Sequence, residues 1–154
     1  MEKNTPLDPC LKALCLTLLV LAASCCVMPR IAILRDPLTP EEHINLGVSY
    51  ERRGELDAAL KEYETASGKS PLAFLYLGNV YFQKRAFSDA EHAYRKAIER
   101  KGSPEAYNNL AWLYYTENEH MGDAEQLAAK AVELSPGSDS FADTLRKVRE
   151  RRQQ

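Results

Sequence analysis

The sequence predicts an all-α protein of three consecutive helical hairpins closed by a C-terminal capping helix. Two observations carry this. Leu46, Gly47, Tyr50, Ala59, Tyr63 and Ala66 recur 31 residues later as Leu77, Gly78, Tyr81, Ala90, Tyr94 and Ala97, and a looser third copy reads Leu110, Ala111, Tyr114, Ala124, Ala128 and Ala131. A fixed period of this size marks stacked helical hairpins. Each copy also opens on a polar residue followed by proline: Thr39-Pro40, Ser70-Pro71 and Ser103-Pro104. Proline fits the first turn of a helix, where its missing N–H costs nothing. Stacked hairpins offer surfaces rather than reaction centres.

Residues 1–24 read as an export signal. Ala13 to Ala23 is an uncharged apolar run of 11 residues, preceded by Lys12. That length suits a signal-peptide core and falls short of the ~20 residues that cross a bilayer. The run ends Ala22-Ala23-Ser24-Cys25. This resembles the lipobox of bacterial lipoproteins. The resemblance implies cleavage after Ser24 and a diacylglycerol thioether on Cys25. Ala22 stands where that family prefers a larger aliphatic residue, and Glu2 and Asp8 offset Lys3 and Lys12. An ordinary cleaved signal and a retained anchor therefore stay open. In such lipoproteins an Asp after the lipidated cysteine favours the inner membrane. Cys26 occupies that place here, so the expected location is the outer membrane, facing the periplasm.

Residues 25–38 follow as a tether. Pro29 and Pro37 discourage a helix through either end, and Ile31, Ile33 and Leu34 argue against a purely solvated linker. The four cysteines all lie in the first 26 residues, so the repeats hold no disulfide framework or cysteine-based zinc site.

The hairpin units span about 39–69, 70–102 and 103–136. Thr39-Pro40-Glu41-Glu42 combines a capping residue, a first-turn proline and a Glu three residues after the cap. Gly54, Gly68 and Gly102 mark breaks where helices end. Gly47, Gly78 and Ala111 are small where a second helix crosses closely. The third unit carries one extra residue between Ala111 and Ala124, and Ala128 replaces its aromatic. Looser packing there, or a contact site in the loop Glu117-Asn118-Glu119-His120-Met121-Gly122, is expected. Residues 137–154 supply the cap, with Phe141, Leu145 and Val148 as its apolar stripe. A solenoid end needs such cover. Arg146, Lys147, Arg149, Arg151 and Arg152 make its tail basic, which complements a helix C-terminus.

The Leu-Gly, Tyr, Ala, aromatic, Ala and closing Pro136 pattern resembles the tetratricopeptide repeat family over residues 39–136. The resemblance implies helix pairs stacked into a right-handed superhelix, with the first helix of each pair lining a concave groove. At 100° per residue, the groove face lies roughly 40–140° around from the small residue. In unit one it holds Ile44, Val48, Glu51 and Arg52. In unit two it holds Leu75, Asn79, Phe82 and Gln83, and in unit three Asn108, Trp112, Tyr115 and Thr116. Aromatic residues are enriched at binding hot spots, and the amides suit an extended peptide backbone. The carboxylate-clamp members of the family need a Lys and an Asn where Ile44 and Val48 stand. Asn79 and Asn109 match their pattern, but the basic pair in the third unit is missing, so chaperone-tail binding is not expected.

The net charge of −2, from 20 basic and 22 acidic residues, gives no footprint for nucleic acid. His43, His92 and His120 fall in different units without ligand or triad spacing, and no phosphate loop is present. The sequence thus predicts no catalytic residue, metal or cofactor. It points to an envelope protein, lipid-anchored at Cys25, that binds a protein or peptide partner as scaffold or assembly factor. Pilus, secretion or polysaccharide machinery would suit such a part. A self-oligomerising subunit and a non-lipidated periplasmic co-chaperone are the other readings.

Overall fold

The computed structural model describes residues 36–154, so Cys25 and most of the tether lie outside the described residues. Seven α-helices and no strand occur among the described residues: α1 Pro40–Arg52, α2 Leu56–Ser67, α3 Leu72–Gln83, α4 Phe87–Arg100, α5 Pro104–Glu117, α6 Met121–Leu134 and α7 Asp139–Arg152. Three hairpins, α1–α2, α3–α4 and α5–α6, stack through α2 on α3 and α4 on α5, and α7 packs on α6 and α5. No helix among the described residues is long and apolar enough to cross a membrane.

Local chemistry explains where three of the seven helices begin. Thr39 and Glu42 form a reciprocal capping box: the Thr39 N–H donates to Glu42 Oε2 at 2.8 Å, and the Glu42 N–H to Thr39 Oγ1 at 3.2 Å. Those bonds hold the Glu42 carboxyl below the usual carboxylate range. Ser103 and Ser138 accept from the Ala106 and Phe141 N–H groups in the same manner. Ser70 departs from this pattern. Pro71 already has helical dihedrals, the helix starts at Leu72, and Ser70 is buried without capping it.

The hairpins close on a ring against a glycine. Tyr63 of α2 and Tyr94 of α4 are buried, and a Cβ added to Gly47 or Gly78 would collide with the corresponding ring. The third hairpin makes the complementary exchange. Ala111 gains a methyl where Ala128 lacks a ring, and both are fully buried with Ala124 and Ala131. The interface there remains sealed from solvent despite the smaller side chain.

The turns within the hairpins require left-handed backbone. Gly54 supplies it in the first (φ 77°) and Arg85 in the second (φ 60°). The extra residue of the third is absorbed by two non-glycine left-handed residues, Asn118 (φ 57°) and His120 (φ 47°). Each costs roughly 1–2 kcal/mol, least for Asn.

On α7, Val148 is fully buried and Thr144 nearly so, its hydroxyl donating to the Ser140 carbonyl at 3.1 Å. Phe141 and Leu145 are half-buried beside them. The basic tail is largely paired. Arg146 and Lys147 meet Asp143, Arg146 also meets Glu150, and Arg149 and Arg152 both meet Glu125 of α6.

Gly78→Ala should destabilise the fold by about 1–3 kcal/mol through overpacking, although alanine is the better helix former. Gly68→Ala, where a Cβ meets nothing within 4 Å, should be neutral or stabilising by up to ~1 kcal/mol. Tyr94→Ala combined with Gly78→Ala should cost at least ~1 kcal/mol less than the two single losses added. Urea denaturation of the four variants measures this, and simple additivity would refute the ring-on-glycine account.

Candidate functional site: a polar groove across the first helices

The tyrosines that close the hairpins also build the site. Each ring passes the glycine of its partner helix, and its hydroxyl reaches the face formed by α1, α3 and α5. Tyr63 Oη donates to Glu51 Oε2 at 3.0 Å, and Tyr94 Oη donates to Asn79 Oδ1 at 3.0 Å. Asn109 Nδ2 donates to the same Asn79 oxygen at 2.8 Å, bridging α5 to α3. Gln83 Nε2 donates to Glu51 Oε1, bridging α3 to α1. Burial, followed by the Glu51 charge, raises the Tyr94 phenol well above its ordinary range.

These residues line a depression of 270 Å³: Glu51, Asn79, Phe82, Gln83, Tyr94, Asn109 and Trp112. Two polar groups in it have no hydrogen-bond partner among the described residues, the Asn79 amide nitrogen and the Asn109 amide oxygen. One donates and the other accepts, as a peptide unit does. Trp112 borders them and stacks on Tyr115 at 5.0 Å between ring centroids.

Five residues expected on this face, Glu51, Asn79, Phe82, Gln83 and Trp112, line the depression. Phe82 also packs against Phe87 of α4 at 5.6 Å, so part of its ring serves the hairpin. Val48 and Leu75 are half-buried and pack on the apolar core. Ile44 is buried in that core. Arg52 and Thr116 are exposed outside the depression. Tyr115 lies beside it, beneath Arg151.

Asn108 requires a correction. It is buried, with no hydrogen-bond partner for its side-chain oxygen. Its neighbour Asn109 takes the groove position instead. One residue is 100° of helix, and how the third hairpin is turned on the second decides which asparagine faces the groove. Tyr94 belongs to the scaffold by its repeat position; its hydroxyl reaches the groove because the helix above it is glycine.

A larger depression of 530 Å³ lies elsewhere, between α4, α5 and α6, lined by Arg95, Ile98, Tyr107, Tyr114, Leu127 and Lys130 among others. Several of its polar groups are already paired. Tyr114 Oη donates to Glu91 Oε1 and accepts from Arg95 Nη2, both at 2.7 Å, and Lys130 pairs with Glu133. Burial and the bond to Glu91 push the Tyr114 phenol up to about 12. The histidines stand apart: His43 is buried with Nδ1 2.7 Å from Glu62 Oε2, whereas His92 and His120 are exposed. No group of three metal-ligating side chains occurs among the described residues.

The family profile described as Tetratricopeptide repeat matches residues 44–104 and again 75–139. The chain belongs to the tetratricopeptide repeat family. It is 36% identical over 70 residues to human Tetratricopeptide repeat protein 6, a match spanning 44% of this chain and only 14% of that protein. Its fold is similar to the first repeat domain of Spaghetti (RPAP3), solved bound to the HSP90 peptide SRMEEVD. That likeness has a TM-score of 0.70 and 19% identity, and covers 80% of this chain and 100% of that one. A tetratricopeptide repeat protein from Parabacteroides merdae gives a TM-score of 0.67 at 23% identity, over 77% of this chain and 47% of that one. At these identities the solved structures establish the repeat fold alone.

Tyr63, Tyr94 and Tyr114 all have raised folded-state ionisation, burial being the largest cause for each. In the unfolded chain they ionise near pH ~10. The folded protein holds these protons longer, so their stabilisation is complete below about pH 10 and is lost as pH rises toward and past 12. The melting temperature should therefore stay level to about pH 9.5 and fall above about pH 10. Tyr94→Phe and Tyr114→Phe should each make that fall shallower. An unchanged slope in both would contradict the burial of these phenols.

Proposed function

We propose that this protein is a non-catalytic adaptor of the bacterial envelope that holds an extended segment of a protein partner in the groove across α1, α3 and α5. The observation that carries this is the unpartnered pair in the groove, Asn79 Nδ2 and Asn109 Oδ1, set beside the face of Trp112. A donor and an acceptor held in place by other bonds suit the backbone of an extended chain at low ordering cost. An adjacent aromatic face suits an apolar side chain. The RPAP3 domain solved with an HSP90 peptide is consistent with this use of the fold.

The N-terminal segment gives the adaptor its place. Lipidation at Cys25 would tether the repeat body to a membrane through residues 26–38, with the outer membrane favoured by Cys26 following the lipidated residue. A single acyl chain binds a bilayer only marginally, at about 0.8 kcal/mol per buried methylene, whereas several anchor it stably. Assembly machinery for pili, secretion or surface polysaccharide has use for a part that keeps a partner at the membrane.

Two experiments test the two halves separately. Cys25→Ser should move the protein from the membrane fraction to the soluble fraction of cells, and unchanged partitioning would remove the lipid anchor from this reading. A photo-crosslinking residue at Gln83 or Trp112 should capture a partner in cells, while the same residue at His92, exposed on α4, should not. Equal capture from all three positions, or none from the groove positions, would refute the groove.

A further inference from the structure

The face that carries the groove has unlike ends. Its order can be followed from contact to contact: Glu51 of α1 is bonded to Gln83 of α3, Asn79 of α3 to Asn109 of α5, and Trp112 stacks on Tyr115 of α5. Tyr115 in turn lies beneath Arg151 of α7. The guanidinium sits 4.5 Å from the ring centroid and Nη2 donates to Tyr115 Oη at 3.0 Å.

A carboxylate stands at one end and a guanidinium at the other, each without an opposite charge among the described residues. Among the described residues Glu51 accepts only from neutral donors, Tyr63 and Gln83, and forms no ion pair. Around Arg151 the charges of Arg146 and Lys147 are offset by Asp143 and Glu150. Arg149 and Arg152 share Glu125. Arg151 has no carboxylate partner among the described residues, which leave most of its five N–H donors unused. Lys147, paired with Asp143, lies 5.2 Å from the centroid of Trp112. Both unpaired charges are already oriented by neutral neighbours, which lowers the ordering cost of binding.

We propose that the groove selects an extended peptide by charge order: a basic side chain against Glu51 and an acidic side chain against Arg151, with the backbone between them on Asn79 and Asn109. This rests on the groove reading above and adds the chemistry of its occupant. The cation comes from the capping helix, outside the repeats, so inspection of the repeat positions alone does not reveal it. Complementary charges at the two ends also fix the direction in which the peptide lies, because the reversed peptide would set like charges together.

The test uses the full-length protein in detergent micelles and a positional-scanning library of short peptides with acetylated N-termini and amidated C-termini, so that only side chains supply charge. The bound pool should be enriched in Asp or Glu at one position and Lys or Arg at another, in a constant order. Arg151→Glu should abolish or invert the acidic preference, weaken the selected peptide about tenfold or more, and leave the basic preference intact. Glu51→Gln should remove only the basic preference. Circular dichroism checks that both variants keep their helices. Binding should weaken as salt rises. Bound peptides with no charge preference, or an acidic preference that survives Arg151→Glu, would overturn this inference and leave the groove standing. No binding by any peptide would overturn both.

Discussion

The structure depends on a tyrosine ring lying against a glycine. Tyr63 on Gly47 and Tyr94 on Gly78 set how closely the two helices of a hairpin approach, since any side chain at the glycine would occupy the space of the ring. The same contact carries the phenol across the hairpin to the opposite face, where the hydroxyls orient Glu51 and Asn79. Scaffold and groove are therefore one construction. The residue that closes the core also places the first polar atom of the site. The third hairpin exchanges the pair for Ala111 and Ala128, so no hydroxyl arrives from below. There α5 supplies its own polar group through Asn109 and its own apolar surface through Trp112.

That exchange explains why parts of the molecule can be read from sequence and others cannot. Helix starts at Thr39, Ser103 and Ser138 are legible because capping involves residues within one turn of each other. Ser70 looks the same in sequence, yet Pro71 enters the helical region early and the side chain is buried instead of capping. The repeat positions give the hairpins and their order because a period is a local property repeated. The choice between Asn108 and Asn109 is different in kind. It depends on the rotation of one hairpin on the next, which no single helix records.

The basic tail shows the same limit for charge. Arg146, Lys147, Arg149, Arg151 and Arg152 read as one positive patch along the sequence. In the fold, Asp143 and Glu150 come from the same helix at i, i+3 and i, i+4 spacing, and these pairs follow from helical geometry. Glu125 lies 24 residues before Arg149 and reaches it only because α7 packs on α6. Four of the five cations share three carboxylates, and the fifth, Arg151, lies on an aromatic ring.

The energetics assign those charges a role. Exposed ion pairs contribute about 0–1 kcal/mol each, and the pairs to Glu125 are largely exposed on the arginine side. Full burial of a valine-sized side chain contributes about 1.5–3 kcal/mol, so Val148, with Thr144 and the flanking Phe141 and Leu145, is what holds the cap on the last hairpin. The charged residues of α7 are then not needed mainly for adhesion. Most of them are paired within α7 or with Glu125, and Arg151 lies above Tyr115. A capping helix serves any solenoid by covering its open end. Here its last turn also places Arg151 over Tyr115, which stacks on the Trp112 that lines the depression.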